Sequence, residues 1–158
     1  MEDLSWCLRN KRGIKLILPN DNLYRVYLKK SRSSLNMLSS AIEKKEWEWI
    51  LETSYYARYF CVYSFLMKLG IKCEIHDCTI QLIGFLVDNE FVNKRFFEEL
   101  KEAKSLRVDS LYYNKEFAHD LILNFSKSAS RFCLDFEEFI EGLNEEKIGE
   151  IRRLVENE

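Results

Sequence analysis

The sequence predicts an all-α fold: an up-and-down bundle of four to five helices with a short N-terminal arm and a C-terminal tail helix. Three observations carry that prediction. Only one proline and five glycines occur in 158 residues, so long helices meet few breakers. Apolar residues recur at intervals of three and four along most of the chain, the period of a helix face. Residues 54–87, SYYARYFCVYSFLMKLGIKCEIHDCTIQLIGFLV, read as a nearly all-apolar helix, a glycine stop, a short polar connector and a second amphipathic helix. A helix apolar on most faces has to sit among other helices.

Taken in order, residues 1–20 form an arm, with Trp6 and Cys7, a basic patch at Arg9, Lys11 and Arg12, and an apolar run over 14–18. It packs on the bundle as a short hairpin or an extended strip, and no strand is expected elsewhere. Residues 21–158 form a single bundle domain, a size normal for one core. Pro19, Asn20 and Asp21 mark a helix start. The first long helix covers about 22–43, with Leu23, Tyr27, Leu35, Leu38 and Ile42 on one face and a basic stripe of Arg25, Lys29, Lys30 and Arg32 on another. The second covers about 45–69 and stops at Gly70, which tolerates a left-handed backbone. Arg58 stands inside its apolar stretch and needs a carboxylate or carbonyl partner. A third helix is expected over 74–87 and a further helical stretch over 93–106. The last long helix is expected over 114–143, with Asn114 as its cap and Ala118, Leu121, Phe125, Ala129, Phe132, Phe136 and Phe139 along a narrow seam. A tail helix follows over 145–156.

Composition narrows function only a little. The chain is 47% hydrophobic and 14% aromatic, with 24 basic and 26 acidic residues and a net charge of -2. That balance gives no global attraction to nucleic acid or anionic membrane. The longest strongly apolar run, 59–67, is far short of a membrane span. Met1-Glu2-Asp3 is acidic where a basic leader region would be needed, so a cytoplasmic protein with reduced thiols is expected. Of the five cysteines, Cys73 and Cys78 flank His76, but no second Cys/His pair completes a tetrahedral site, and no metal or cofactor is expected.

The order of elements is similar to that of HEPN domains (higher eukaryotes and prokaryotes nucleotide-binding), in particular small archaeal-type members. The residues that carry the resemblance are Ser54-Tyr55-Tyr56-Ala57, then Leu69-Gly70-Ile71-Lys72-Cys73-Glu74-Ile75-His76, then Leu106-Arg107 through Leu111-Tyr112. It spans residues 20–143. The resemblance implies a homodimer formed through the site-bearing helices. It also implies nucleotide or RNA binding, and pairing with a minimal nucleotidyltransferase in a toxin–antitoxin-like system. Other members are metal-independent ribonucleases marked by an Arg followed, four to six residues on, by a His at the turn before the last helix.

The chemistry of that signature is intelligible. RNA cleavage without metal needs a base for the 2′-hydroxyl, an acid for the leaving oxygen and a fixed cation for the phosphorane; imidazole and guanidinium meet these needs. Here Arg107 is present, but Tyr112, Tyr113 and Asn114 stand where the His belongs. Tyrosine, with a reference pKa near 10, is a poor base at neutral pH. The residues expected to form a polar cleft are therefore Arg107, Tyr112 and His76, with Tyr113 and Arg58 as further nucleotide or RNA contacts. In some nucleotidyltransferase-paired members a Tyr near this motif accepts AMP, a role open to Tyr112 and Tyr113; the plainer alternative packs both rings at the bundle end. Three readings stand side by side: a non-catalytic binding module, a divergent metal-independent ribonuclease that recruits His76 or His119 as base, and a helical scaffold with no site.

Overall fold

The computed structural model describes residues 4–158, and the opening acidic tripeptide of the expected arm lies outside them. The fold is all-α. Its long helices are α2 (Asp21–Lys44), α3 (Trp47–Leu69), α4 (His76–Asp88), α5 (Lys94–Tyr113) and α6 (His119–Glu141), preceded by a short α1 (Ser5–Arg9) and followed by α7 (Glu145–Glu156). Asn20 caps α2 by accepting from the Leu23 N–H at 2.9 Å, satisfying one of the first-turn donors. The two-residue link from α2 to α3 turns the chain through Lys45 at φ 57, which folds the two helices back on each other.

Helix α3 is the axis. It packs against α2, α5 and α6, and it buries residues on every side, as its apolar sequence demands. The seam of α6 meets it through aromatic rings. Phe136 lies 5.7 Å from Phe65 and 4.7 Å from Phe96, both edge-on, the geometry that ring quadrupoles favour.

The arm folds onto this bundle. Leu4, Cys7 and Ile14 are buried. Strand β1 (Lys15–Leu16) pairs antiparallel with β2 (Ile71–Lys72), with Lys15 opposite Lys72. Gly70 makes this junction possible. It sits at φ 71, and a Cβ there would come within 2.6 Å of Ile17 O, Pro19 N and Arg152 Nη1. Arg152 of α7 spans the same junction, donating through Nη1 to the carbonyls of Ile17, Leu69 and Gly70.

Several sequence expectations are corrected. A second strand, β2, exists outside the arm, because the apolar 14–18 run needs a ladder partner and the connector after Gly70 supplies one. Helix α4 begins at His76 rather than 74. Helix α5 continues to Tyr113, beyond the expected 106, so Arg107 and Tyr112 lie on one helix and not across a turn. Asn114 ends α5 in the left-handed conformation, φ 50, a role Asn fills at helix C-termini; it does not start α6, which begins at His119. Reduced thiols are not found throughout. Cys7 and Cys78 form a disulfide that joins α1 to α4, while Cys61, Cys73 and Cys133 are free and buried. Folding the arm back over α4 brings together two residues that sequence spacing alone left unrelated.

Candidate functional site

Helices α3, α4 and α5 converge on Arg107. Its guanidinium is held through Nε, which donates to Glu52 Oε2 at 2.6 Å, and the side chain is only 13% exposed. The guanidinium carbon lies 5.2 Å from the Tyr55 ring centre, 5.4 Å from Tyr56 and 5.9 Å from Tyr112. Among the described residues no acceptor engages the two Nη groups. Burial works against the Arg107 charge, but the Glu52 carboxylate overrides it and holds the guanidinium above its usual range. Glu52 thus fixes the plane and direction of the fork while leaving its outer donors available.

Tyr55 links this cation to His76. Its hydroxyl is 2.7 Å from His76 Nδ1. Burial raises the Tyr55 pKa strongly, so the phenol keeps its proton. The His76 ring stacks on Tyr59 with centres 4.0 Å apart. Burial, then the charges of Arg107 and Lys104, lower the His76 pKa against the opposing pull of Asp77 and Glu52. The imidazole is therefore neutral at pH 7. When the Tyr55 hydroxyl donates to Nδ1, the ring hydrogen resides on Nε2 and His76 presents an N–H donor; in the other tautomer Nδ1–H donates to the phenol oxygen and Nε2 carries a lone pair. Asp77 is occupied by an ion pair with Lys104.

The other candidates fall in different places. Tyr112 and Tyr113 do not pack at the bundle end: they are 67% and 74% exposed, and Tyr112 alone of the two flanks Arg107. Arg58 is fully buried between α3, α5 and α6 and is spent on Ser54, Phe125, Ser128 and Glu99. His119 stacks on Trp47 with ring centres 3.7 Å apart, in a separate cleft of about 630 Å³ that Trp49, Asn114 and Lys115 also line. Cys78 is tied to Cys7 and His76 turns to Tyr55, so the Cys73, His76, Cys78 trio is not assembled around one point. Sequence reasoning missed Glu52, Tyr55 and Tyr56 as site residues. The spacing of Glu52 to Tyr55 and Tyr56, three and four residues along one helix, places them on one face, but no spacing rule paired them with Arg107.

A cation, an imidazole and phenols are thus gathered where three helices of the bundle meet. The HEPN domain model matches residues 24–147, and the chain belongs to the HEPN family. No curated protein matches it. Among the described residues no helix is long and apolar enough to cross a membrane.

Proposed function

We propose that this chain is a non-catalytic HEPN module that binds a nucleotide or RNA through Arg107, forms a homodimer and works beside a minimal nucleotidyltransferase in a toxin–antitoxin-like pair. Residues 21–158 form the module and 1–20 an accessory arm, in a cytoplasmic protein. The supporting observation is the Arg107 fork, largely buried, aimed by Glu52 and with no acceptor at either Nη group among the described residues. A phosphate adds to this arrangement by taking the outer donors bidentately, with the His76 Nε2–H and the Tyr112 hydroxyl as neighbouring donors. The dimer expectation draws on the exposed apolar side chains Met37, Trp49 and Tyr113. If the partner transfers AMP, Tyr112 is the accessible phenol next to the cation.

Calorimetric titration with AMP and with a short RNA tests the reading, together with co-expression beside a minimal nucleotidyltransferase. Binding that disappears in Arg107→Gln while far-UV circular dichroism shows the helical fold retained is the expected result. Wild-type protein that binds neither ligand and co-purifies with no nucleotidyltransferase overturns it.

One observation favours a second reading, metal-independent RNA cleavage: His76 and Arg107 both flank Tyr55. That chemistry needs a lone pair on the outer nitrogen, hence the tautomer in which Nδ1–H donates to the phenol oxygen. Incubation of RNA with protein in EDTA decides it. Cleavage lost in both His76→Gln and Arg107→Gln supports this alternative, and intact RNA removes it.

A further inference from the structure

Arg107 stands at one end of a row of rings carried by α3 and α2, in which Tyr56, Phe60 and Tyr27 are half-buried and Tyr63 is buried. Tyr56, beside the guanidinium, stacks on Phe60 one turn later with centres 5.3 Å apart. Phe60 lies 6.1 Å from Tyr27 of α2, and Tyr27 lies 4.6 Å from Tyr63. The Tyr63 hydroxyl accepts the N–H of Cys73, the residue after Lys72, so the row ends at the β1–β2 ladder. Cations accompany it throughout. Lys30 Nζ lies 4.7 Å from the Tyr27 centre and 5.5 Å from Phe60. At the far end Lys72 and Arg12, both well exposed, share the single carboxylate of Glu74. The arm's Lys15 stands directly opposite Lys72 in the ladder and adds a third cation at this end. Two basic features that look unrelated in the sequence, the arm patch and the α2 stripe, are thus joined by an aromatic row to Arg107.

We infer that this strip is a binding site for single-stranded polynucleotide, with bases against Phe60 and Tyr27 and successive phosphates at Arg107, Lys30 and the Lys72–Arg12 end. The inference rests on Arg107 as a phosphate holder and specifies the ligand as a strand rather than a mononucleotide. Alternating ring faces and cations are what a sequence-tolerant single-strand site requires, since every base has a face to stack and every nucleotide a charge. From Glu52 to Tyr63 the helix rises about 16 Å at 1.5 Å per residue, room for roughly five stacked nucleotides at 3.4 Å each. Lys30 is exposed; on binding it leaves the ring faces for a phosphate, exchanging a weak surface cation–π contact for a stack and an ion contact. A second copy of the chain is a poorer occupant, because symmetric pairing through this strip sets Lys30, Lys72 and Arg12 against their own kind.

Fluorescence anisotropy with a labelled eight-nucleotide RNA, a DNA of the same sequence and AMP tests the site across a salt series. The variant Lys30→Gln/Lys72→Gln is exposed at both positions, and Lys127→Gln on α6 serves as control. The expected result is that the double variant weakens oligonucleotide binding and flattens its log K against log salt slope by about 1.4, roughly 0.7 for each lost single-strand contact, with AMP binding unchanged. Arg107→Gln loses both ligands. An unaltered slope in the double variant, or an equal change in Lys127→Gln, overturns the strip while leaving Arg107 as a nucleotide site. A double variant that changes oligomer mass in light scattering but not binding overturns it in favour of a self-interface. Failure of wild-type protein to bind either nucleic acid or AMP overturns both this inference and the function above.

Discussion

Replacing Arg58 by methionine keeps most of the side-chain volume and removes a charge from the centre of the bundle. Nη1 of Arg58 donates to Ser54 Oγ at 2.6 Å and Ser54 O at 3.1 Å; Nη2 donates to Phe125 O at 2.9 Å and Ser128 Oγ at 2.7 Å. Nε faces Glu99 Oε2 at 3.8 Å, and neither of those two atoms has a hydrogen-bond partner of its own. The guanidinium carbon lies 4.5 Å from the Phe125 ring centre. Burial pushes the Arg58 pKa down, and the Glu99 charge pushes back. One side chain therefore ties α3 to α5 and α6. After substitution, Ser128 still donates to Phe125 O, but the Ser54 hydroxyl loses its partner and the Glu99 carboxylate is left facing a thioether. Removing one member of a buried ion pair costs about 3–5 kcal/mol, a large share of a stability of about 5–15 kcal/mol. At about 2–4 °C per kcal/mol for a domain of this size, the melting temperature falls by roughly 10 °C. Urea and thermal denaturation followed by circular dichroism measure both. The double variant Arg58→Met/Glu99→Leu removes the stranded carboxylate too and is expected to be more stable than Arg58→Met alone. An Arg58→Met protein within about 1 kcal/mol of wild type, or a double variant whose losses simply add, refutes the account. Loss of ligand binding with stability intact would instead return Arg58 to the site.

Three further outcomes are expected. Reducing the Cys7–Cys78 disulfide frees a loop of sequence separation 71; chain entropy sets the resulting loss at up to about 4 kcal/mol, read as a difference between melts with and without dithiothreitol, and coincident melts refute it. Gly70→Ala forces a side chain into a left-handed site against backbone atoms, so it lowers stability by more than the 1–2 kcal/mol or so of the conformational penalty alone, measured by urea unfolding; a neutral variant refutes it. His76 is neutral in the fold at a pH where the unfolded imidazole, with pKa near 6.5, begins to charge. Because the unfolded chain then binds more protons, stability falls as pH drops from about 6.5 toward the lower folded value and levels off beneath it. His76→Gln is expected to remove that part of the pH dependence, and an unchanged profile shows that another group carries it.

The helical architecture was legible because α3 and α6 announce themselves: one is apolar all round, and the other repeats apolar residues in threes and fours. The start at Asn20 and the stop at Gly70 were legible for local chemical reasons. The α5–α6 boundary was not. Asn114 suits either a helix start or a left-handed helix end, and only the position of Ala118 and His119 in the packed bundle decides between them. Arg107 and His76 could be named from the sequence through the family likeness, but their connection could not, because Tyr55 looked like one more core aromatic in an apolar helix. Glu52 was hidden for a similar reason: an acid at the edge of a buried helix reads as solvated until its partner on α5 is placed. The disulfide depends on the arm's path across α4, a long-range fact with no local signature.

What distinguishes a holder of phosphate from a catalyst at this site is the allocation of protons around Tyr55. Its hydroxyl has one hydrogen to give, and burial prevents its loss. If that hydrogen goes to His76 Nδ1, the outer nitrogen of the ring is a donor, Arg107 contributes two further Nη groups, and Tyr112 adds a phenol from the exposed rim. A collection made only of donors, with no free base, suits a ligand rich in oxygen acceptors, and it holds such a ligand without attacking it. The lowered His76 pKa works in the same direction: at pH 7 the imidazole adds direction but little charge. Phosphate binding should therefore tighten as pH falls through the His76 titration, when Nε2–H becomes part of a cation, even as the fold itself loses stability. A base-dependent cleavage would do the reverse and fade over the same interval. The two pH profiles have opposite slopes, so measuring binding and cleavage on one preparation across that window separates the module from the nuclease.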